Sequence, residues 1–412
     1  MSEFATIEQP SLKGLGQRAK GDKVIWAIVI LLGLVSLLAV YSSTGLLAYR
    51  LNRGNTEVYL FKQAVFIALG IGVIYFMHRI NYTFYSRLAV ILFLLSIPLL
   101  LYTLFFGVTL NEGSRWIRVP VINLTFQTSD LAKLALFMYV SRQLSKRQLH
   151  VADLKKGFLP VIIPVCVVCL LIAPANLSTA LLLGASCMML MFIGRIKAKF
   201  LLVTIGAALL PVVILVTISM AYYDKQEQKC KELPSILQAS RMPTWIKRVQ
   251  TFMYASKDMD KDDNYQVNQA KIAIAKGGWL GAGPGNSESR NFLPHPYSDF
   301  IYAIIIEEYG LIGGACLVLI YILFLFRSIR IFRKCPYAFG AFLALGLSFT
   351  LVIQALANMA VNVNLFPVTG VTLPLVSMGG SSFLFNCVAI GIILSVARNV
   401  EQLEGDKVKS EK

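Results

Sequence analysis

Apolar residues in this chain come in blocks of about 20, each long enough to cross the hydrocarbon core of a bilayer as a helix. Ten such spans are expected, at roughly 24–41, 58–77, 86–107, 129–143, 158–173, 177–194, 200–222, 299–326, 338–361 and 371–397. The fourth is short and carries charge at its start, so nine full spans is the alternative. A membrane β-barrel would show short segments of alternating polarity, and these blocks do not alternate. The expected class is an all-α polytopic membrane protein. A hydrophobic content of 56% and a mean hydropathy of +0.66 over 412 residues agree with it.

The net charge is +17. In a soluble protein that would point to nucleic acid, but here Lys and Arg gather in the short loops between apolar blocks, the pattern of cytoplasmic loops. No nucleic-acid partner is expected. With ten spans, the basic groups around Arg18, Arg142, Lys197, Arg330 and Arg398 all fall on one face together with both termini. With nine they split between faces. The chain then divides into a cytoplasmic tail (1–23), a transmembrane domain (24–398) and a second cytoplasmic tail (399–412). Two loops, 108–128 and 223–298, are external, the second joining helices 7 and 8. The polar N-terminal tail does not read as a cleavable signal.

The long loop has its own order. "DDNYQVNQAKIAIAKGG" reads as a helix capped by Asp262 or Asp263 and ended at Gly277. "MPTWIKRVQTFMY" alternates basic and apolar residues in the manner of a helix lying on a membrane surface. Cys166 and Cys169 form a C-x-x-C inside a span with no His beside them, so no redox or zinc role is expected. His78, His150 and His295 are scattered, and no zinc site is expected from them.

Carboxylates inside greasy sequence are costly and ask for a reason. Asp299 stands where the polar "LPHPYS" turns into the eighth span; it reads either as an N-cap of that helix or as a general base at the external surface. Glu307 and Glu308 lie about 12 to 14 Å further along the helix, where a structural pair with a Lys or Arg of another span is the favoured reading. "SDLAK" places Asp130 and Lys133 at i, i+3, as a helix-start ion pair or as an anion site. "NEGSRWIRV" brings Arg115, Trp116 and Arg118 to the external side, where paired guanidinium donors suit a phosphate. "GGWLGAGPGNSES" lacks the ending of a Walker loop; its glycines let the backbone turn tightly or approach a ligand. "SMGGSS" either opens the last helix with free N–H groups, an anion-friendly end, or makes a tight re-entrant turn.

Taken together, "SRWI", "SDLAK", "YQVNQAKIAIAKGGWLGAGPGNS", "LPHPYSDFIYAIIIEEYGLIGG" and "LFPVTGVTLPLVSMGGSS" resemble the SEDS family (shape, elongation, division and sporulation proteins). They stand in the family's order and cover the chain from the first span to the last. "GPGNS" and "SMGGSS" look more like its division branch than its elongation branch. The resemblance implies a ten-helix fold and a peptidoglycan glycosyltransferase that polymerises lipid II on the outer face of the bacterial cytoplasmic membrane, at the septum. It puts the catalytic aspartate on Asp299 and the fourth-helix acid and lysine on Asp130 and Lys133. Gln266, Gln269, Lys276 and Arg290 join Arg115, Asp130 and Lys133 as substrate-binding candidates. It also implies a divalent cation (Mg or Mn) and partners: a class B penicillin-binding protein that crosslinks the glycan, and other division proteins. The chain departs from the family in having Asp130 for Glu, Pro296, Tyr297 and Ser298 before the aspartate, and Asn176 for an acid before the sixth span.

The physical reading fits beside it. A lipid diphosphate leaving group needs cations rather than a strong acid, and an attacking sugar hydroxyl benefits from one base. The competing readings are a lipid II flippase, for which Glu307, Glu308 and Lys133 would line a polar path, and a division scaffold recruiting a transpeptidase. The long external loop and the lack of an internal repeat speak against the flippase.

Overall fold

The computed structural model describes residues 21–52, 55–110, 113–118, 125–224, 229–230, 234, 242–254, 262–294 and 296–410. Most of the tail 1–23, His295 and parts of both long loops lie outside the described residues, as does the side chain of Arg115.

In chain order the elements are α1 (Lys23–Ser43), α2 (Gly45–Asn52), α3 (Glu57–Arg79) and α4 (Tyr82–Phe106). A small antiparallel sheet follows: β1 (Val108–Leu110), β2 (Gly113–Arg118) and β3 (Thr125–Gln127). Next come α5 (Thr128–Lys146), α6 (Leu159–Ile172), α7 (Leu177–Ile193) and α8 (Ala198–Ala221), then the short pair β4 (Tyr223–Asp224) and β5 (Lys229–Cys230). The chain continues with α9 (Met242–Tyr254), α10 (Asp262–Gly277), α11 (Ile301–Lys334), α12 (Ala338–Asn362) and α13 (Ser381–Ser410). Among the described residues, eight helices are long and apolar enough to cross a membrane. Of the other two expected spans, α7 is apolar but shorter, and α5 carries Asp130, Lys133, Arg142 and Lys146. α9 and α10 fall where the sequence puts them.

α12 is the axis of the bundle, buried along nearly its whole length and packed by α5, α7, α11 and α13. Small residues let backbones close on one another, the usual device of helix packing in lipid. A Cβ at Gly70 would lie 2.7 Å from Cys387 Sγ, and one at Gly391 would lie 2.6 Å from Met77 Cβ, so α3 and α13 meet at their glycines. The rim is greasy: Phe61, Phe105 and Leu202 are largely exposed.

Two expected boundaries are corrected. The last span begins at Ser381, because residues 371–380 form no helix and fold back over the start of α11. The eighth runs to Lys334 and is broken inside, at Gly310, with φ +70°. The break is where the glycine-rich loop goes. Ala282 and Gly283 donate N–H groups to the carbonyls of Glu307 and Glu308 at 2.9 and 3.0 Å, while Leu311 and Ile312 donate to Gly278 and Trp279 at 2.9 and 3.4 Å. The loop thus completes the hydrogen bonds that the broken helix cannot make for itself. A Cβ at Gly281 would strike the Glu308 carbonyl, and one at Gly310 the Trp279 carbonyl. The glycines serve this contact between backbones.

Candidate active site

Asp299 sits in a turn two residues ahead of α11 and does not cap it. The cap position belongs to Phe300, which makes no side-chain cap bond. The Asp299 Oδ1 accepts from Ser298 Oγ at 2.8 Å, and Oδ2 lies on the side of Gly370. The main chain, not the carboxylate, anchors the residue: its carbonyl accepts from Asn358 Nδ2 at 2.9 Å and from Asn362 Nδ2 at 3.0 Å. Phe300 is buried in a small apolar cluster with Ala270, Ala273, Leu293, Ala303 and Ile304, a burial worth about 1.5–3 kcal/mol for a side chain of this size.

The segment after α12 is stitched over this turn. Ser377 Oγ donates to Ser298 O at 2.6 Å and Met378 N to Tyr297 O at 2.9 Å. Asn358 also donates to Val371 O at 2.7 Å, and Gln354 to Thr372 O at 3.0 Å. Gln354, Asn358 and Asn362 recur every four residues, so they line one face of α12. This amide ladder escaped the sequence reading, although three amides at i, i+4, i+8 in an otherwise apolar span are a legible signal.

The top of the ladder holds Asp299 and the bottom meets Lys133. Lys133 Nζ is 2.6 Å from Asp130 Oδ1 and donates to Gln354 Oε1 at 3.4 Å. The shorter acid still closes the i, i+3 pair. Gln354 and Asn358 are one turn apart, so the contacts of Lys133 and of Asp299 on α12 are separated by about 6 Å along its axis. Asp130 also accepts from Ser382 Oγ, and Gln127 N donates to Ser381 Oγ at 3.2 Å. The two serines of "SMGGSS" are thus tied through their hydroxyls to the start of α5 and to β3. A cavity of about 30 Å³ lies beside Lys133, lined also by Thr350 and Asn386, room for a water molecule.

Other candidates stand apart from these contacts. Glu307 and Glu308 are buried, but the expected Lys or Arg partner is replaced by hydroxyl and amide donors. Glu307 accepts from Ser287 Oγ, from Ser289 N at 3.2 Å and from Ser289 Oγ at 2.9 Å; Glu308 accepts from Ser42 Oγ. Among the described residues the donors to Glu307 come from the threaded loop and the donor to Glu308 from α1. Arg290 Nη1 donates to Ser42 O at 3.1 Å. Lys276 pairs with Glu288 at 2.5 Å on an exposed surface; the hydrogen bond between them raises the lysine's pKa and lowers the carboxyl's. Gln266 and Gln269 are half-buried on α10, the helix against the start of α11. Arg115 lies in β2. Asn176, which replaces the family's acid, caps α7 through Thr179 N at 3.3 Å, a role needing no charge. Burial raises the pKa of Tyr297, helped by Tyr59 and Asp299.

Among the described residues no three His, Cys, Asp or Glu side chains gather. Asp130 is already committed to Lys133 and Ser382. Among the described residues the donor set does not fit a divalent cation held by the protein alone.

Residues 22–402 match the profile of the FtsW/RodA/SpoVE family, described as cell cycle protein. The chain belongs to this family. This SEDS protein is 31% identical to a probable peptidoglycan glycosyltransferase FtsW of Trichlorobacter lovleyi, over 93% of this chain and 94% of that one. It is 32% identical to another of the same name from Nitrosococcus halophilus, over 90% and 91%. Against stage V sporulation protein E of Bacillus subtilis the identity is 29%, over 93% and 98%. Among solved structures, a chain of a peptidoglycan synthase complex superposes with a TM-score of 0.70 at 24% identity, covering 93% of this chain and 99% of that chain. Thermus thermophilus RodA gives 0.64 at 21%, over 92% and 97%. At these identities the likeness shows the SEDS fold.

Proposed function

We propose that this protein is a peptidoglycan glycosyltransferase that polymerises lipid II, with Asp299 as the base. The observation that carries the reading is the anchoring of Asp299 by its main chain. Two amides hold its carbonyl, its side chain is spent on no helix cap, and Lys133 contacts the same face of α12 one turn away. The relatives named as peptidoglycan glycosyltransferases support the reaction class.

In the proposed step an acceptor sugar hydroxyl attacks the anomeric carbon of the donor. Its proton passes to the Asp299 carboxylate as the new C–O bond forms. The bond from that carbon to the lipid diphosphate breaks, and the anomeric centre inverts. Lys133 and Arg115 are assigned to the departing diphosphate, whose charge they offset. Asp130 holds Lys133 in place and offsets part of its charge. Lys276, Arg290, Gln266 and Gln269 are assigned to substrate further from the reacting bond. A divalent cation, Mg or Mn, would enter with the diphosphate and offset its charge.

The site is proposed to face the outer side of the bacterial cytoplasmic membrane, at the septum, both termini being cytoplasmic. A class B penicillin-binding protein and other division proteins are its proposed partners. The fold shared with a chain of a peptidoglycan synthase complex supports the first. The deciding experiment supplies lipid II and a divalent cation to purified wild type and Asp299→Asn, each with the transpeptidase, and separates the products on a gel. Polymer from wild type alone is expected. Polymer from both would move the base elsewhere, and lipid scrambling in vesicles that survives the substitution would favour a flippase.

A further inference from the structure

An aspartate placed just before a helix should turn onto the free N–H groups of the first turn, because they are unsatisfied and attract a carboxylate. Asp299 does not, and α12 shows why. Asn362, fully buried, reaches across with its Oδ1 to accept from Ala303 N in the first turn of α11 at 3.1 Å, an N–H that it shares with Phe300 O, also at 3.1 Å. Its Nδ2 donates to Asp299 O at 3.0 Å and to Asn358 O at 2.8 Å. One amide therefore does for α11 from a neighbouring helix what a local cap does from its own chain, and fixes the Asp299 main chain at the same time. Asn358 has no bond to the first turn of α11: it donates to Asp299 O and to Val371 O, and its Oδ1 accepts a longer bond from Asn362 Nδ2 at 3.3 Å, which keeps its shorter bond to the Asn358 main chain whatever the side chain there.

We propose that Asn362 is a positioning residue that caps α11 in trans and so keeps the Asp299 carboxylate out of the cap and facing the reaction. The inference rests on the reading of Asp299 as the base. It predicts an asymmetry between two buried asparagines that share the same carbonyl. With Asn362→Ala, Ala303 N loses its acceptor on α12, and the Asp299 carboxylate is expected to turn onto the first-turn amides in its place. With Asn358→Ala the cap remains and the carboxylate stays where it is.

The test compares Asn362→Ala, Asn358→Ala, Asp299→Asn and wild type, each in complex with the transpeptidase. Lipid II polymerisation gives kcat and KM, and a cryo-EM structure of Asn362→Ala locates the carboxylate. The expected result for Asn362→Ala is a fall in kcat of about a hundredfold, the cost of a misplacement of about 1 Å, with KM within about twofold. Asn358→Ala should lose distinctly less. In the Asn362→Ala structure the carboxylate should lie on the first-turn amides. Equal losses for the two variants, a change confined to KM, or a carboxylate that has not moved would overturn the inference. If Asp299→Asn keeps full activity while the carboxylate still swings in Asn362→Ala, the base assignment falls and the capping relationship stands. Should Asn362→Ala fail to fold, Asn362→Ser, which keeps a polar group on the same Cβ but one bond short of Oδ1, is read for the same split: an intermediate kcat at unchanged KM supports the inference, and wild-type kcat overturns it.

Discussion

Lys133 is held by Asp130 at 2.6 Å on its own helix and by Gln354 at 3.4 Å on the next. The half-buried lysine is thus fixed in position from two sides. Lys133→Met should lower kcat/KM for lipid II polymerisation by about a hundredfold, the scale of removing one donor from a preorganised anion site. Asp130→Asn should lose less, about tenfold, because the cation stays and only its placement loosens. Steady-state polymerisation at saturating transpeptidase reads both. Equal activity in Lys133→Met and wild type would remove Lys133 from the diphosphate.

Gly310 and Gly281 should be intolerant for a reason that has nothing to do with substrate. Both have positive φ, and a Cβ on either would enter a carbonyl of the opposing segment. The left-handed backbone alone costs a side chain about 1 kcal/mol, and expulsion of the loop would strand backbone groups at about 1–3 kcal/mol each. Gly310→Ala should therefore fail to give a folded protein or melt far below wild type in detergent. Gly285→Ala, at φ +78° with open space around it, should lose only about 1 kcal/mol.

Glu307 accepts three hydrogen bonds from Ser287 and Ser289. Glu307→Gln turns a donor toward donors and should cost about 1–3 kcal/mol of stability, seen as a lowered melting temperature. The kcat per folded molecule should stay within about twofold, since the residue organises the loop and not the reaction. A large loss of kcat at unchanged stability would make Glu307 part of the chemistry.

The exposed Lys276–Glu288 pair sets a small pH dependence. Glu288 is lowered in the folded protein, so its stabilisation is present above the ordinary carboxylate range and is lost as pH falls through the lowered value. Lys276 is raised, so its share is present below the ordinary lysine pKa and is lost as pH rises through the raised value. The melting temperature of Glu288→Gln relative to wild type should differ by the same small amount from about pH 6 to 9, converge in acid, and shrink with added salt.

The apolar blocks made the helices legible, and α10 runs to Gly277 as expected, although Asp262 and Asp263 lie inside it and not at its cap. Asp299, Lys133 and Asp130 were legible because charge stands out against a greasy background. What stayed hidden depends on contacts between distant segments. Residues 371–380 are apolar enough to read as helix, yet Pro374 and the amides of α12 hold them open. The partners of Glu307 come from a loop some twenty residues earlier, which no local pattern announces. Asp299 read equally as cap or base, and that it makes no cap depends on contacts with α12 and with the segment after it, which the local sequence does not show.

The break at Gly310 carries a consequence for how the protein is made. A membrane helix ordinarily completes its hydrogen bonds within its own span and can enter lipid by itself. α11 cannot: at Glu307, Glu308, Leu311 and Ile312 its backbone bonds belong to residues 278–283. Insertion of this segment is thus coupled to docking of the strand of chain before it, and the two should behave as one cooperative unit during biogenesis. A substitution that slows that docking would reduce the yield of assembled protein while leaving the reacting groups of every finished molecule untouched.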